Sequence, residues 1–317
     1  MEQSLGWILF KTLVFPGLTF LLLVIFATFY LERKLVADMH GRTGPYYVGP
    51  YGILQTVADI FKILQKEVII HREADKLLFL IVPAVAFFMV ALVAAFIPYD
   101  ENLWIVSTPY DLVISLALLT SLPAIFLFAG WVSKSKYPFI GGIRVINQLI
   151  SGEIPLWLAG LSVALWYGTF NYLEIVHKFD VIGFLVNLVG FAIFLVAILI
   201  VADRPPFDIP EAEQEIVYGF LTEYTGVGYL LLAGAKFLEV FVLSAMTVTL
   251  FLGGFKGPFL PGWVWFLLKV FAVYYLAFAI RASTPRIRLD QLIKFTWKIL
   301  VPLSLLNIAL ILIIKAL

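Results

Sequence analysis

The chain has 317 residues, of which 62% are hydrophobic and only 14% charged, with a formal net charge of +1 and a mean hydropathy of +1.00. A soluble domain carries about a quarter charged residues, so a water-soluble globule is excluded and lipid is the expected solvent. Cysteine is absent and the histidines, His40, His71 and His177, are widely separated, which excludes cysteine-ligated iron–sulfur clusters and argues against haem or a zinc site.

A helix needs roughly 20 apolar residues to cross about 30 Å of hydrocarbon. On that length the sequence predicts eight spans, at about 12–31, 77–98, 109–131, 149–170, 181–202, 227–252, 262–281 and 299–317. Open backbone is not tolerated in lipid, and these runs are too long for barrel strands. The expected fold is an all-α membrane protein of about eight transmembrane helices in one polytopic domain, 1–317, with an amphipathic helix on one face. There is no internal repeat or flexible linker, and no basic region precedes the first span as a cleaved signal would require.

In chain order, the first polar segment carries Arg42-Thr43-Gly44-Pro45 and Gly49-Pro50-Tyr51-Gly52, turn chemistry that sets the start of a following helix. Over 53–67 the apolar residues Ile53, Leu54, Val57, Ile60, Phe61 and Leu64 keep the 3.6 period, with Gln55, Asp59, Lys62 and Lys66 largely opposite. That helix is too short to span and is expected in the interface. The next segment on the same face holds Ser135-Lys136-Tyr137 and Arg144, and Glu153 follows at the start of the fourth span beside Pro155.

Between the fifth and sixth spans the apolar pattern breaks for Asp203-Arg204-Pro205-Pro206-Phe207-Asp208-Ile209-Pro210-Glu211-Ala212-Glu213-Gln214-Glu215, closed by Glu223-Tyr224-Thr225-Gly226. Charge so close to a membrane is costly and points to function. Asp208 and Glu211 also fit a capping box, from which a helix would continue with Glu211 and Glu215 on one face and Glu213 on another. Lys236 and Glu239, three residues apart in the sixth span, are readable as a self-neutralising pair or as part of a buried polar path. Arg281-Ala282-Ser283-Thr284-Pro285-Arg286-Ile287-Arg288-Leu289-Asp290-Gln291 joins the last two spans. Nearly all basic residues outside the spans fall on the face of these polar segments, so the positive-inside rule places that face in the cytoplasm of a cell membrane and both termini outside.

Together these motifs resemble the H subunit of respiratory complex I, called subunit 1 in mitochondria, and its homologues in membrane-bound hydrogenases and related ferredoxin-dependent complexes. The carriers are Arg42-x-Gly44-Pro45 through Ala58-Asp59-x-x-Lys62, Ser135-Lys136-Tyr137, Pro206-Phe207-Asp208-x-Pro210-Glu211-Ala212-Glu213-x-Glu215, Glu223-Tyr224-x-Gly226, and Arg281-Ala282-Ser283-x-Pro285-Arg286-x-Arg288-x-Asp290-Gln291. The resemblance implies a subunit of a redox-driven H+ or Na+ pump that docks a peripheral electron-transfer arm and couples it, through an acidic channel, to antiporter-like subunits. It nominates Asp59, Glu153, Glu211, Glu213, Glu215, Glu223 and Glu239 for the channel. Arg42, Lys62, Arg144, Arg286, Arg288 and Asp290 are its candidates for the docking face or chamber mouth.

By the same resemblance the chain binds no cofactor of its own, while iron–sulfur clusters and, in hydrogenase relatives, a nickel–iron centre belong to partner subunits. The implied partners are peripheral-arm large and small subunits of hydrogenase type, antiporter-like and small membrane subunits, and the bilayer, with no nucleic acid. Thr56 stands where the complex I pattern commonly has proline, and the external loop at about Tyr99 to Thr108 is short. Both tilt the expectation toward a ferredoxin-dependent hydrogenase or sulfur-reducing complex, with a quinone chamber as the alternative. A free-standing transporter or a passive anchor is the alternative of another class.

Overall fold

The computed structural model describes residues 5–316, and among these every regular element is helical. Numbered in chain order, the main helices are α1 (Leu18–Met39), α2 (Ile53–Leu64), α3 (Lys76–Phe96), α4 (Asp111–Val132), α5 (Lys136–Tyr167), α6 (Tyr172–Lys178), α7 (Val181–Val186), α8 (Leu188–Val201), α9 (Gly226–Phe251), α10 (Gly262–Ser283), α11 (Leu289–Phe295) and α12 (Val301–Ala316). Seven stretches are long and apolar enough to cross a membrane, and α8 is a shorter apolar helix. The chain is thus a multi-pass membrane protein.

The ends of several spans differ from the hydropathy reading. The first runs over Gly6–Met39, so Glu32 and Arg33 stand on its helix rather than in a loop. The fourth begins at Lys136, about 20 Å of helix earlier than 149 at about 1.5 Å per residue, and lifts Arg144 and Gln148 onto an ordered rod. The fifth is interrupted at Asn187 (φ −89°, ψ 12°), which separates α7 from α8. Here the Asn187 side chain donates to the carbonyl of Gly183 at 3.0 Å, a local side-chain bond that competes with the helix ladder.

Caps mark where chain leaves helix. Asp75 accepts from the N–H groups of Leu77 and Leu78 at 3.2 and 3.3 Å, opening α3, and Asn171 accepts from Glu174 N–H at 3.0 Å, opening α6. The amphipathic helix α2 starts after Gly52 as its sequence predicts, but ends at Leu64. It lies against α1 and α9 with Thr56 buried and Leu54 and Phe61 exposed.

Helix α9 is the axis of the bundle: 83% of its apolar window is buried, against 56% or less for every other span. It packs on α1, α2, α3, α8 and α10. Its Lys236 and Glu239 are therefore enclosed by protein, not lipid. The segment 203–225 also folds inward. Phe207, Ile209, Phe220 and Leu221 are buried and pull the intervening carboxylates with them. Gly219, at φ +57°, makes this possible, because a β-carbon there would overlap the carbonyl oxygen of Pro210.

Candidate functional site: a charged cavity beneath the polar segments

The inward fold of 203–225 sets its acids against α9. Lys236 Nζ contacts Asp203 Oδ2 at 2.8 Å and Glu211 Oε1 at 2.5 Å, and Gln148 Nε2 donates to Asp203 Oδ1 at 2.8 Å. The ammonium also lies 4.9 Å from the ring centre of Phe220 and 5.6 Å from that of Phe126, whose rings stack on each other. These are cation–π contacts made away from water. One lysine shared by two carboxylates treats them unequally. Burial pushes Asp203 up to about 6 in spite of Lys236. Burial also works to raise Glu211, but Lys236 and Arg204 outweigh it and hold that carboxyl below its usual range.

A second cluster adjoins the first. Glu32 receives Arg204 at 3.1 Å and also pairs with Arg281, and the Arg204 guanidinium covers the ring of Phe237 at 4.6 Å. Three cations and three carboxylates thus balance inside the bundle, the condition under which buried charge is tolerated.

These groups form part of the wall of a cavity of about 1050 Å³, at the upper end of small-molecule sites. Apolar Ile25 and Phe29 of α1, Ile60 and Ile63 of α2, and Leu230 and Phe237 of α9 supply one kind of lining; Glu32, Arg204, Glu211 and Lys236 supply the other. Asp59 lines it too, bound to Arg33 at 2.5 Å and to Gln55 at 2.9 Å, as do Lys62, Asp208 and Arg286. Burial, then Glu211, push Asp208 up to about 6 against the opposing pull of Lys236 and Arg286. A smaller cavity of about 370 Å³ next to it brings Arg42 near Arg33 and Arg281.

Beyond the clusters, deeper in the bundle, stand Glu239 and Glu153. Oε2 of Glu239 and Oε1 of Glu153 are buried without a hydrogen-bond partner among the described residues.

The structure therefore gathers Asp59, Lys62, Glu211 and Arg286 around one cavity, with Glu153 and Glu239 behind it. It places the other nominated residues elsewhere. Arg144 pairs with Glu215 outside the cavity lining, and that hydrogen bond, outweighing the small effect of burial, holds the Glu215 carboxyl below its usual range. Arg288 and Asp290 are exposed at the start of α11, where Gln291 Oε1 accepts from the Arg288 N–H at 3.2 Å. Glu223 is half-buried in the turn before α9 and does not line the cavity. The side chain of Glu213 lies outside the described residues.

Two readings of the acidic segment are corrected. No helix starts at Asp208: the α-helical turn here is Glu213–Ile216, because Glu211 is held by Lys236 rather than by a backbone N–H. Glu211 and Glu215 accordingly share no helix face. Lys236 binds Asp203 and Glu211, not Glu239. Glu32, Asp203, Arg204 and Arg281 were missing from the nominated set. Buried Phe207 and Ile209, alternating with the acids, were the available sign that this segment folds inward.

Residues 11–312 match the family model described as NADH dehydrogenase. The chain is similar to the H subunit of the NADH-quinone oxidoreductase of Dehalococcoides mccartyi (strain CBDB1), 41% identical over 290 residues, spanning 91% of this chain and 82% of that one. It is also similar to the protein of the same name from Geobacillus thermodenitrificans, 40% identical over 331 residues that span 100% and 98% of the two chains, and from Brevibacillus brevis, 37% identical with 98% and 95% spanned. With a match over nearly its whole length and a cavity built from the very motifs that carry the resemblance, the chain belongs to the family of complex I H subunits.

Proposed function

We propose that this chain builds the quinone chamber of an NADH:quinone oxidoreductase and couples reduction there to ion translocation through Glu239 and Glu153. The observation that carries the reading is the cavity of about 1050 Å³ between α1, α2 and α9, apolar on one wall and charged on the other. An apolar wall suits a hydrophobic ring and tail; a charged wall suits the carbonyl oxygens that gain charge on reduction. The names of the relatives favour quinone over the hydrogenase and sulfur-reducing alternatives toward which Thr56 and the short loop point. In a free-standing transporter the broken fifth span would be one of a pair in repeated halves, and the sequence has no such repeat.

In this reading Arg288 and Asp290, exposed at the start of α11, meet a peripheral arm that carries the iron–sulfur clusters, while antiporter-like subunits receive the coupling. The polar face is cytoplasmic and both termini are outside. Since the chain has no cysteine, single cysteines at 136 and 286 report the orientation: labelling from the cytoplasmic side alone is expected, and labelling from the outside alone overturns it. A photoreactive quinone tests the chamber in the assembled complex. Cross-links to peptides of α2 or the first half of α9, competed by unlabelled quinone, are expected. Their absence, with ferredoxin-driven proton or sulfur reduction in the same preparation and hydrogenase-type subunits co-purifying, would establish the other reading.

A further inference from the structure

Helix α2 is a cavity wall with little protein packing of its own. Of its 12 residues only Thr56 is buried; Ile60 and Ile63 line the cavity, and Ile53, Leu54 and Phe61 are exposed. A helix with a cavity behind it gains little from apolar burial against protein, so its place depends on the polar fastenings at its edges. On the α1 side the Tyr30 hydroxyl donates to Tyr51 O at 2.9 Å, and Arg33 pairs with Asp59. On the α9 side one residue does the work. Beyond α2 the strap 66–69 crosses the start of α9, where Thr225 Oγ1 donates to Glu67 O at 3.0 Å and accepts from the Ile69 N–H at 3.1 Å. Among the described residues no other hydrogen bond joins 53–70 to the polar segment 203–225 or to α9.

Two local features fit α9 to this contact. Thr225 is the N-cap residue of α9, with the extended backbone of a cap (φ −126°, ψ 164°), yet its side chain makes no cap hydrogen bond. Its hydroxyl is turned to the strap instead. Gly226 follows at φ +56°, and a β-carbon there would stand 2.8 Å from Lys66 O, so the strap runs where only glycine leaves room. Lys66, Thr225 and Gly226 all line the cavity, which makes this seam part of its wall.

We propose that Thr225 is a positioning residue of the cavity: its hydroxyl fastens the strap to α9 and so holds Ile60 and Ile63 at the distance from Leu230 and Phe237 at which a hydrophobic ligand is gripped. That the ligand is a quinone rests on the function proposed above; the fastening does not. Because the hydroxyl both gives and takes, Thr225→Val loses both bonds at once while keeping the shape, and Thr225→Ser keeps them. Loss of the fastening loosens the α2 wall without touching Glu32, Arg204, Glu211 or Lys236. Ligand binding then weakens while the step at the charged groups keeps its rate.

Hydrogen exchange and quinone kinetics of the assembled complex test this. In wild type the Ile69 amide should be protected, although its residue is 67% exposed. In Thr225→Val its exchange should quicken about five- to tenfold, the size expected of one net hydrogen bond, with α1 unchanged. The KM for quinone should rise by a similar factor at nearly constant kcat, and Thr225→Ser should behave as wild type in both. An unprotected Ile69 amide in wild type overturns the fastening, whether or not Thr225→Val assembles. Faster exchange in Thr225→Val with an unchanged KM, or with a fall in kcat alone, overturns the positioning role. A wild-type complex that reduces no quinone overturns the chamber reading instead, and the exchange measurement, which needs no substrate, still decides the fastening.

Discussion

The two charged regions of this bundle are built on opposite terms. Around the cavity, Lys236, Arg204 and Arg281 are each matched to Asp203, Glu211 or Glu32, while deeper in the bundle Glu239 and Glu153 make no ion pair among the described residues and, like Glu32 and Asp208 at the cavity, keep a buried oxygen without a hydrogen bond. Matched charges in a low-dielectric interior hold one another in place. An unmatched carboxylate is a costly element that packing alone does not explain, and intramembrane acids of that kind mark ion pathways. On the proposed function, the paired cluster builds the cavity wall and Glu239 and Glu153 carry the coupling.

The largest effect is expected at the centre of the paired region. Lys236→Met leaves Asp203 and Glu211 facing each other without their shared cation, and removing one partner of a buried pair costs roughly 3–5 kcal/mol. The variant should fail to accumulate as detergent-stable protein, and adding Asp203→Asn and Glu211→Gln should restore much of it. Normal yield of the single variant would break the distinction, because the cluster would then not be holding the wall.

A smaller, pH-dependent effect is expected at Asp208, whose carboxyl burial and Glu211 push up to about 6. A raised acid is protonated in the folded protein before it is in the unfolded chain, whose Asp value is about 3.9. Its contribution to stability therefore improves as pH falls from about 6 toward about 4, and is unfavourable above that window. Infrared titration should show a protonated-carboxyl band growing as pH falls through about 6, reduced in Asp208→Asn, where Asp203 still contributes, and with its Asp208 part shifted to higher pH in Arg286→Ala. A band unchanged by Asp208→Asn would assign the proton to another group.

The smallest effect is expected at the exposed Arg144–Glu215 pair. Glu215 is 53% exposed where it pairs with Arg144, and exposed pairs contribute about 0–1 kcal/mol. Glu215→Gln should leave thermal unfolding of the complex nearly unchanged, and a loss comparable to that of Lys236→Met would place this pair among the architectural charges.

Much of this architecture is legible in the sequence. Continuous apolar runs locate the spans, the Gly-Pro turns locate α2, and the acidic and arginine-rich motifs point to the region that the cavity occupies. The partners are harder to read. Lys236 and Glu239 share a helix and suggest each other, whereas Asp203 reaches Lys236 only because buried Phe207, Ile209 and Phe220 fold the polar segment inward. Glu32 is hidden for a different reason: hydropathy ends the first span near 31, yet the helix continues to Met39 and presents Glu32 to Arg204 and Arg281. The break at Asn187 carries no proline or glycine at that residue and depends on a side-chain bond to Gly183 that composition does not display.

The claim that the lone acids couple while the paired ones build is tested most directly by ion uptake per electron transferred in sealed vesicles containing the Glu239→Gln or Glu153→Gln complex. Each substitution keeps size and hydrogen-bonding groups but removes the charge. The account predicts normal assembly, retained electron transfer from the peripheral arm to an artificial acceptor, and a clearly lowered ratio of ions to electrons for both variants. Assembly with the wild-type ratio in both would contradict it, and would make Glu239 and Glu153 structural residues like the cluster beside them.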